Sequence, residues 1–142
     1  MCGFTALFEK GRSFDPAILN GMEKDLLHRG PDGGGILSES GVAFVFRRLA
    51  IMDPTSQSDQ PMDDSTGRYC IVYNGEIYNS RELRAELVEM GKVFRTDGDT
   101  EVLLEAYIEW GIDIIPRLEG MFAFVVLDRR KKTVVAVRDP FG

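Results

Sequence analysis

Short apolar runs alternate along this chain with segments whose apolar residues recur every three or four positions, and polar stretches carrying Gly or Pro separate them. Residues 4–8 predict a strand, closed by Glu9-Lys10-Gly11 as a turn. Asp15-Pro16 predicts an N-cap followed by proline at the first helical position. Ile18, Leu19, Met22 and Leu26 then mark one helical face, in a helix that stops before Gly30-Pro31. Ile36-Leu37 and residues 42–46 are β-rich and flank Ser38-Glu39-Ser40-Gly41, a hairpin signal. Residues 53–68 are polar, hold Pro54, Pro61 and Gly67, and predict a long loop. Residues 69–73 predict a strand. Ser80 then caps a helix with apolar positions Leu83, Leu87 and Met90, stopped by Gly91. A further helix is expected from about 100 to 110, with Val102, Leu103, Ala106 and Tyr107 on one side and Gly111 at its end; 112–118 reads as a short helix. Residues 121–127 and 133–137 predict two strands joined by Arg129-Arg130-Lys131-Lys132, a solvated basic turn. Strands with helices grouped between them predict an α+β layered fold in one domain.

Composition narrows the function classes. The apolar content suffices for a real core, and the net charge of −6 opposes nucleic-acid binding or attachment to an acidic membrane surface. The longest apolar stretch, 121–127, is far too short to span a bilayer. The N-terminus lacks the charged-then-apolar pattern of a secretion signal, so a cytoplasmic location is expected. Cys70 sits in an apolar run and reads as a core residue, and a Cys2–Cys70 disulfide is not expected in a reducing compartment. One histidine and two distant cysteines make no metal-ligand cluster.

The candidate chemistry begins at Met1-Cys2-Gly3. Removal of the initiator methionine puts a thiol nucleophile and a free α-amine on one residue. The amine has an ordinary pKa of roughly 7.7–8.0 and can serve as base near neutrality. His28-Arg29-Gly30-Pro31-Asp32, with three glycines after it, reads as a stiff loop, with Arg29 and Asp32 as ordering residues and His28 as structural. Arg48 stands at the end of a strand, where it is either a solvated edge residue or a fork for a carboxylate. Asn74-Gly75 is either a plain turn or an oxyanion hole, built from the Asn amide and the Gly backbone N–H. The 97–101 segment opens a helix, and an aspartate there either caps it or binds an ammonium group.

Together these pieces carry a resemblance. Met1-Cys2-Gly3, His28-Arg29-Gly30-Pro31-Asp32, Arg48-Leu49-Ala50-Ile51-Met52-Asp53, Asn74-Gly75-Glu76-Ile77-Tyr78-Asn79, Asp99-Thr100-Glu101-Val102, Leu118-Glu119-Gly120-Met121-Phe122-Ala123-Phe124 and Arg138-Asp139 run in one order along the chain. In that order they resemble the class II glutamine amidotransferase domain, an N-terminal-nucleophile hydrolase, and most closely the glutaminase domain of glutamine-hydrolysing asparagine synthetases. The resemblance implies a four-layer αββα sandwich of mainly antiparallel sheets. It implies that Cys2 attacks the glutamine amide while Asn74 and Gly75 hold the oxyanion. Arg48 then clamps the α-carboxylate, and Asp99 and Glu76 hold the α-ammonium, with Leu49 and Ile51 backbone nearby. No cofactor is implied for that half-reaction. Residues 1–142 are expected to be such a domain lacking its C-terminal strands. ATP and Mg belong to an absent synthetase domain, supplied in cis or trans, and the full-length parent is a possible homodimer. The alternative is a non-catalytic relative serving as a scaffold or interaction module.

Overall fold

The computed structural model describes residues 2–49 and 58–142. Its strands are β1 (Gly3–Phe8), β2 (Gly33–Glu39), β3 (Val42–Arg48), β4 (Met62–Asp63), β5 (Tyr69–Ile77), β6 (Gly120–Asp128) and β7 (Thr133–Arg138). Its helices are α1 (Pro16–Asp25), α2 (Ser80–Glu89) and α3 (Asp99–Trp110), followed by a 3-10 segment, Gly111–Arg117. Two antiparallel sheets form, in the orders β1-β3-β2 and β4-β5-β6-β7.

The period-2 alternation of strand side chains explains the layering. In β3, Ala43 and Val45 pack with Leu19 of α1, while Val42, Phe44 and Phe46 join Cys70 and Val72 of β5 and Val125 and Leu127 of β6 between the sheets. The opposite parity of β5 and β6, with Ile71, Tyr73, Ile77, Phe122, Phe124 and Val126, packs on Leu83 and Leu87 of α2 and on Val102, Leu103 and Ala106 of α3. The order is therefore α1, sheet, sheet, α2 with α3. This is the expected α+β four-layer sandwich. β3 and most of β5 read as continuous apolar runs because both of their faces are covered.

Local expectations hold where the signal is chemical. Asp15 caps α1, its Oδ1 accepting from the Ala17 N–H at 2.8 Å, with Pro16 first in the helix. α1 stops before Gly30, as expected, at Asp25 with Leu26 as its C-cap. Other boundaries move. Asn79, not Ser80, precedes α2, and its side chain bridges outward, from Nδ2 to Arg117 O at 2.8 Å and from Oδ1 to the Glu119 N–H at 3.1 Å. β4 lies within the expected 53–68 loop, and β2 begins in the glycine run.

The basic turn is not simply solvated. Arg129 donates to Glu39 of β2 at 2.7 Å, to Asp63 of β4 at 2.9 Å and to Gly67 O at 2.8 Å, so it ties one sheet to the other. Burial works to lower the Arg129 pKa, but these two carboxylates outweigh it and raise it. At the same turn, the Arg68 guanidinium grips Asp128 through two nitrogens, at 3.0 and 2.6 Å, and holds its carboxyl well below the usual carboxylate range.

Candidate active site

Strand parity brings the site together at one end of the inter-sheet layer. Cys2 precedes β1 on the face shared with Phe4 and Ala6, and packs into the inter-sheet cluster. Arg48 has the parity of Phe44 and Phe46, and Asn74 that of Cys70 and Val72. All three line a cleft of about 190 Å³ with Leu49, Gly75, Glu76, Gln60, Tyr73, Asp99 and Met121. That is smaller than the ~300–1,000 Å³ typical of drug-sized pockets, and it suits a ligand the size of an amino acid. Cys2, Asn74, Gly75 and Met121 also line a wider groove of about 700 Å³ on the other side of the thiol, where His28, Arg29 and Asp139 lie. Of the expected site residues, Ile51 falls outside the described residues.

The sulfur is held at the end of β3. The Leu49 N–H donates to Cys2 Sγ at 3.4 Å, and Sγ lies 3.7 Å from Leu49 O. Cys70, by contrast, is buried between the sheets, and burial first, then the neighbouring Asp63, pushes its thiol pKa up well beyond the ordinary value.

The two adjacent arginines part company. Arg47, on the α1 side, donates to Gly30 O at 2.8 Å, to Pro31 O at 3.2 Å and to Glu23 of α1 at 3.3 Å. Arg48, buried on the cleft side, donates to Asp59 at 2.7 Å, which fixes where its guanidinium sits. Arg47 thus ties down the 28–32 loop, in addition to the ordering expected of Arg29 and Asp32. The Asp32 contribution includes its backbone, whose N–H donates to Arg48 O at 3.0 Å. Gly30 presses so closely on β3 that a Cβ there would lie 2.4 Å from the Arg48 nitrogen. His28 keeps a structural contact, its Nδ1 lying 2.7 Å from Asp25 O.

Asn74-Gly75-Glu76 is strand, not turn, because it pairs residue by residue with Ala123, Phe122 and Met121 of β6. Antiparallel ladders alternate hydrogen-bonded and non-bonded pairs. The Tyr78 N–H donates to Glu119 O at 2.7 Å, so by alternation Tyr73, Gly75 and Ile77 turn their N–H groups away from β6. Two of these three are engaged: Tyr73 N–H donates to Gln60 Oε1 at 2.6 Å and Ile77 N–H to Asp99 Oδ2 at 3.0 Å. The middle one, Gly75 N–H, is not spent on the ladder, since both Phe122 backbone groups bond Asp139. Only glycine fits there: φ is +156°, and a Cβ would lie 2.1 Å from Met121 O. An unspent backbone N–H and the Asn74 amide therefore line the same cleft as a thiol, which is the donor set an oxyanion hole requires.

Asp99 opens α3 behind Gly98, which holds the N-cap position expected of an aspartate. Asp99 Oδ2 accepts from the Tyr73 hydroxyl at 2.7 Å as well as from Ile77 N–H. The loop before it is shaped by Glu101, whose buried carboxylate accepts from the Arg95 N–H at 3.0 Å and from the Thr96 N–H and hydroxyl at 2.7 and 2.8 Å. Burial works to raise the Glu101 pKa, but these bonds outweigh it and leave the pKa lowered. Gln60, Tyr73, Ser58, Thr100 and Met121 are cleft residues that the sequence reading did not single out. For Tyr73 a signal existed, since a polar hydroxyl on the helix-facing parity of a buried strand needs a partner. For Gln60, in an irregular loop, there was none. Among the described residues no helix is long and apolar enough to cross a membrane, and no three metal-ligating side chains cluster.

Comparison with known proteins agrees with this geometry. The family pattern of the glutamine amidotransferase domain matches residues 1–142. The chain is 40% identical over 146 residues to asparagine synthetase [glutamine-hydrolyzing] 1 of Bacillus subtilis, covering 100% of this chain and 23% of that protein. It is 45% identical over 125 residues to a putative asparagine synthetase of Mycobacterium bovis, covering 81% of this chain and 19% of that one. It thus spans about a quarter or less of the length of these relatives. Its fold superposes with a TM-score of 0.75 on glutamine phosphoribosylpyrophosphate amidotransferase from B. subtilis, at 20% identity, over 99% of this chain and 37% of that one. The family match over the whole length and the identity to these relatives show that the chain belongs to the glutamine amidotransferase domain family.

Proposed function

We propose that this chain hydrolyses glutamine to glutamate and ammonia, with Cys2 as nucleophile, and delivers the ammonia to an amide-forming synthetase domain of the asparagine synthetase kind. With Met1 removed, the Cys2 α-amine takes the thiol proton, and Sγ attacks the amide carbon while the carbonyl electrons move to oxygen. The Gly75 N–H and the Asn74 amide stabilise that oxyanion; one such donor is typically worth on the order of a hundredfold or more in rate. The amine passes its proton to the departing nitrogen, the C–N bond breaks, and ammonia leaves a γ-glutamyl thioester. Water then adds to the thioester carbonyl, the C–S bond breaks, glutamate is released, and the sulfur takes up a proton from the water to regenerate the thiol. Arg48 binds the α-carboxylate, and Asp99 and Glu76 bind the α-ammonium, so glutamine is read at both charged groups. No cofactor takes part in this sequence, and ATP with Mg would serve only the synthetase domain.

The observation that carries the reading is the Gly75 N–H, left out of the ladder between two engaged neighbours and set in the cleft that holds Cys2. The test is ammonia and glutamate release from glutamine by the processed protein. Cys2→Ala should reduce it to background, and turnover that survives this change would refute the assignment.

A further inference from the structure

The Tyr73 hydroxyl has no place in the reaction above, yet it is buried beside the cleft. Tyr73 is 3% exposed, and its hydroxyl donates to Asp99 Oδ2 at 2.7 Å. The Ile77 N–H donates to that same oxygen at 3.0 Å. Both bonds fall on Oδ2. No buried side-chain polar atom among the described residues lacks a partner, so Oδ1, which accepts no bond, must open onto the cleft. The two donors come from β5 at either end of Asn74-Gly75-Glu76, and Gln60 anchors the first of them again through the Tyr73 backbone at 2.6 Å.

We infer that Tyr73 is a positioning residue: by occupying Asp99 Oδ2 together with the Ile77 N–H, its hydroxyl turns Oδ1 of that carboxylate toward the ammonium group of the ligand. This rests on the reading of Asp99 as the ammonium-binding carboxylate. A free carboxylate rotates about its last bond and offers either oxygen to solvent or ligand. Here one oxygen is committed to two neutral donors. The charge stays available on the other, in a fixed plane. Phenylalanine would fill the same space against α3 without the hydroxyl, so the packing remains while the orientation is lost.

The test compares glutamine with glutaric acid monoamide, which keeps the carboxylate and the reacting amide but lacks the α-amine. In Tyr73→Phe, KM for glutamine should rise on the order of tenfold, the scale of one hydrogen bond to a charged group. Its kcat should stay within about threefold, because the Ile77 N–H still anchors the strand. The kcat/KM for the monoamide should stay within about twofold. Tyr73→Leu, which also lacks the donor, should show the same selectivity and guards against a folding defect peculiar to one variant. An equal loss with both substrates in both variants, or no loss with glutamine, overturns the inference. If the unaltered protein fails to hydrolyse glutamine at all, it is the function proposed above that fails.

Discussion

Arg47 and Arg48 are chemically identical neighbours with different tasks, and only strand parity separates them. Arg47 faces α1 and holds the 28–32 loop, whereas Arg48 faces the cleft. Arg48→Ala should therefore lower kcat/KM for glutamine by roughly 10- to 100-fold, chiefly through KM, since a hydrogen bond to a charged group contributes about 1.5–3 kcal/mol. Steady-state kinetics on folded protein checks this. A change in kcat alone would contradict a binding role. That Cys2, Arg48, Asn74, Gly75 and Asp99 would share one cleft was legible in the sequence because each stands in a short motif and the motifs run together in one order. Gln60 was not, because its role arises from a bond across 13 residues of chain that no local pattern encodes, and for Tyr73 the parity signalled the need for a partner but not that Asp99, 26 residues on, would supply it. Arg129 was misread for a related reason: a run of four basic residues looks solvated until two separate strands deliver Glu39 and Asp63 to it.

At the scale of elements, the sequence located the strands well and their ends poorly. β5 was expected to stop at Tyr73 because Asn-Gly usually turns a chain. It continues to Ile77 because β6 offers a full set of partners and a second glycine, Gly120, where a Cβ would lie 2.0 Å from Glu76 O. The pair of glycines lets two backbones approach more closely than side chains allow, and that carries Gly75 into the cleft as strand. β4, only two residues long, had too little pattern to be read. Its Asp63 nevertheless anchors the Arg129 guanidinium that reaches Glu39 of the other sheet. Arg129→Ala should destabilise the fold by about 1–2 kcal/mol, more than one exposed ion pair provides, because it removes a partly buried pair, an exposed pair and a backbone contact at once. Arg129→Lys should recover less than half of this, since a single ammonium cannot fork to both carboxylates. Urea denaturation monitored by circular dichroism decides it, and an unchanged midpoint in Arg129→Ala would show that the turn does not join the sheets.

For the whole molecule, the four layers are the direct result of which strands are apolar on both faces. β3 and β5 lie inside because each packs one parity against the other sheet and the other parity against a helix. The same alternation, followed to the strand ends, delivers Cys2, Arg48 and Asn74 into one cleft and leaves Cys70, on the strand that carries Asn74, deep between the sheets. Two cysteines of one chain thus receive opposite chemical fates from the fold. The most direct test uses a glutamine-like diazo-ketone, an electrophile that carries the α-carboxylate and α-ammonium of glutamine, followed by peptide mapping of the native protein. The account predicts a single alkylated residue, Cys2, protected by excess glutamine, with Cys70 unmodified. Equal labelling of both cysteines, or labelling of Cys2 that glutamine does not slow, would contradict it.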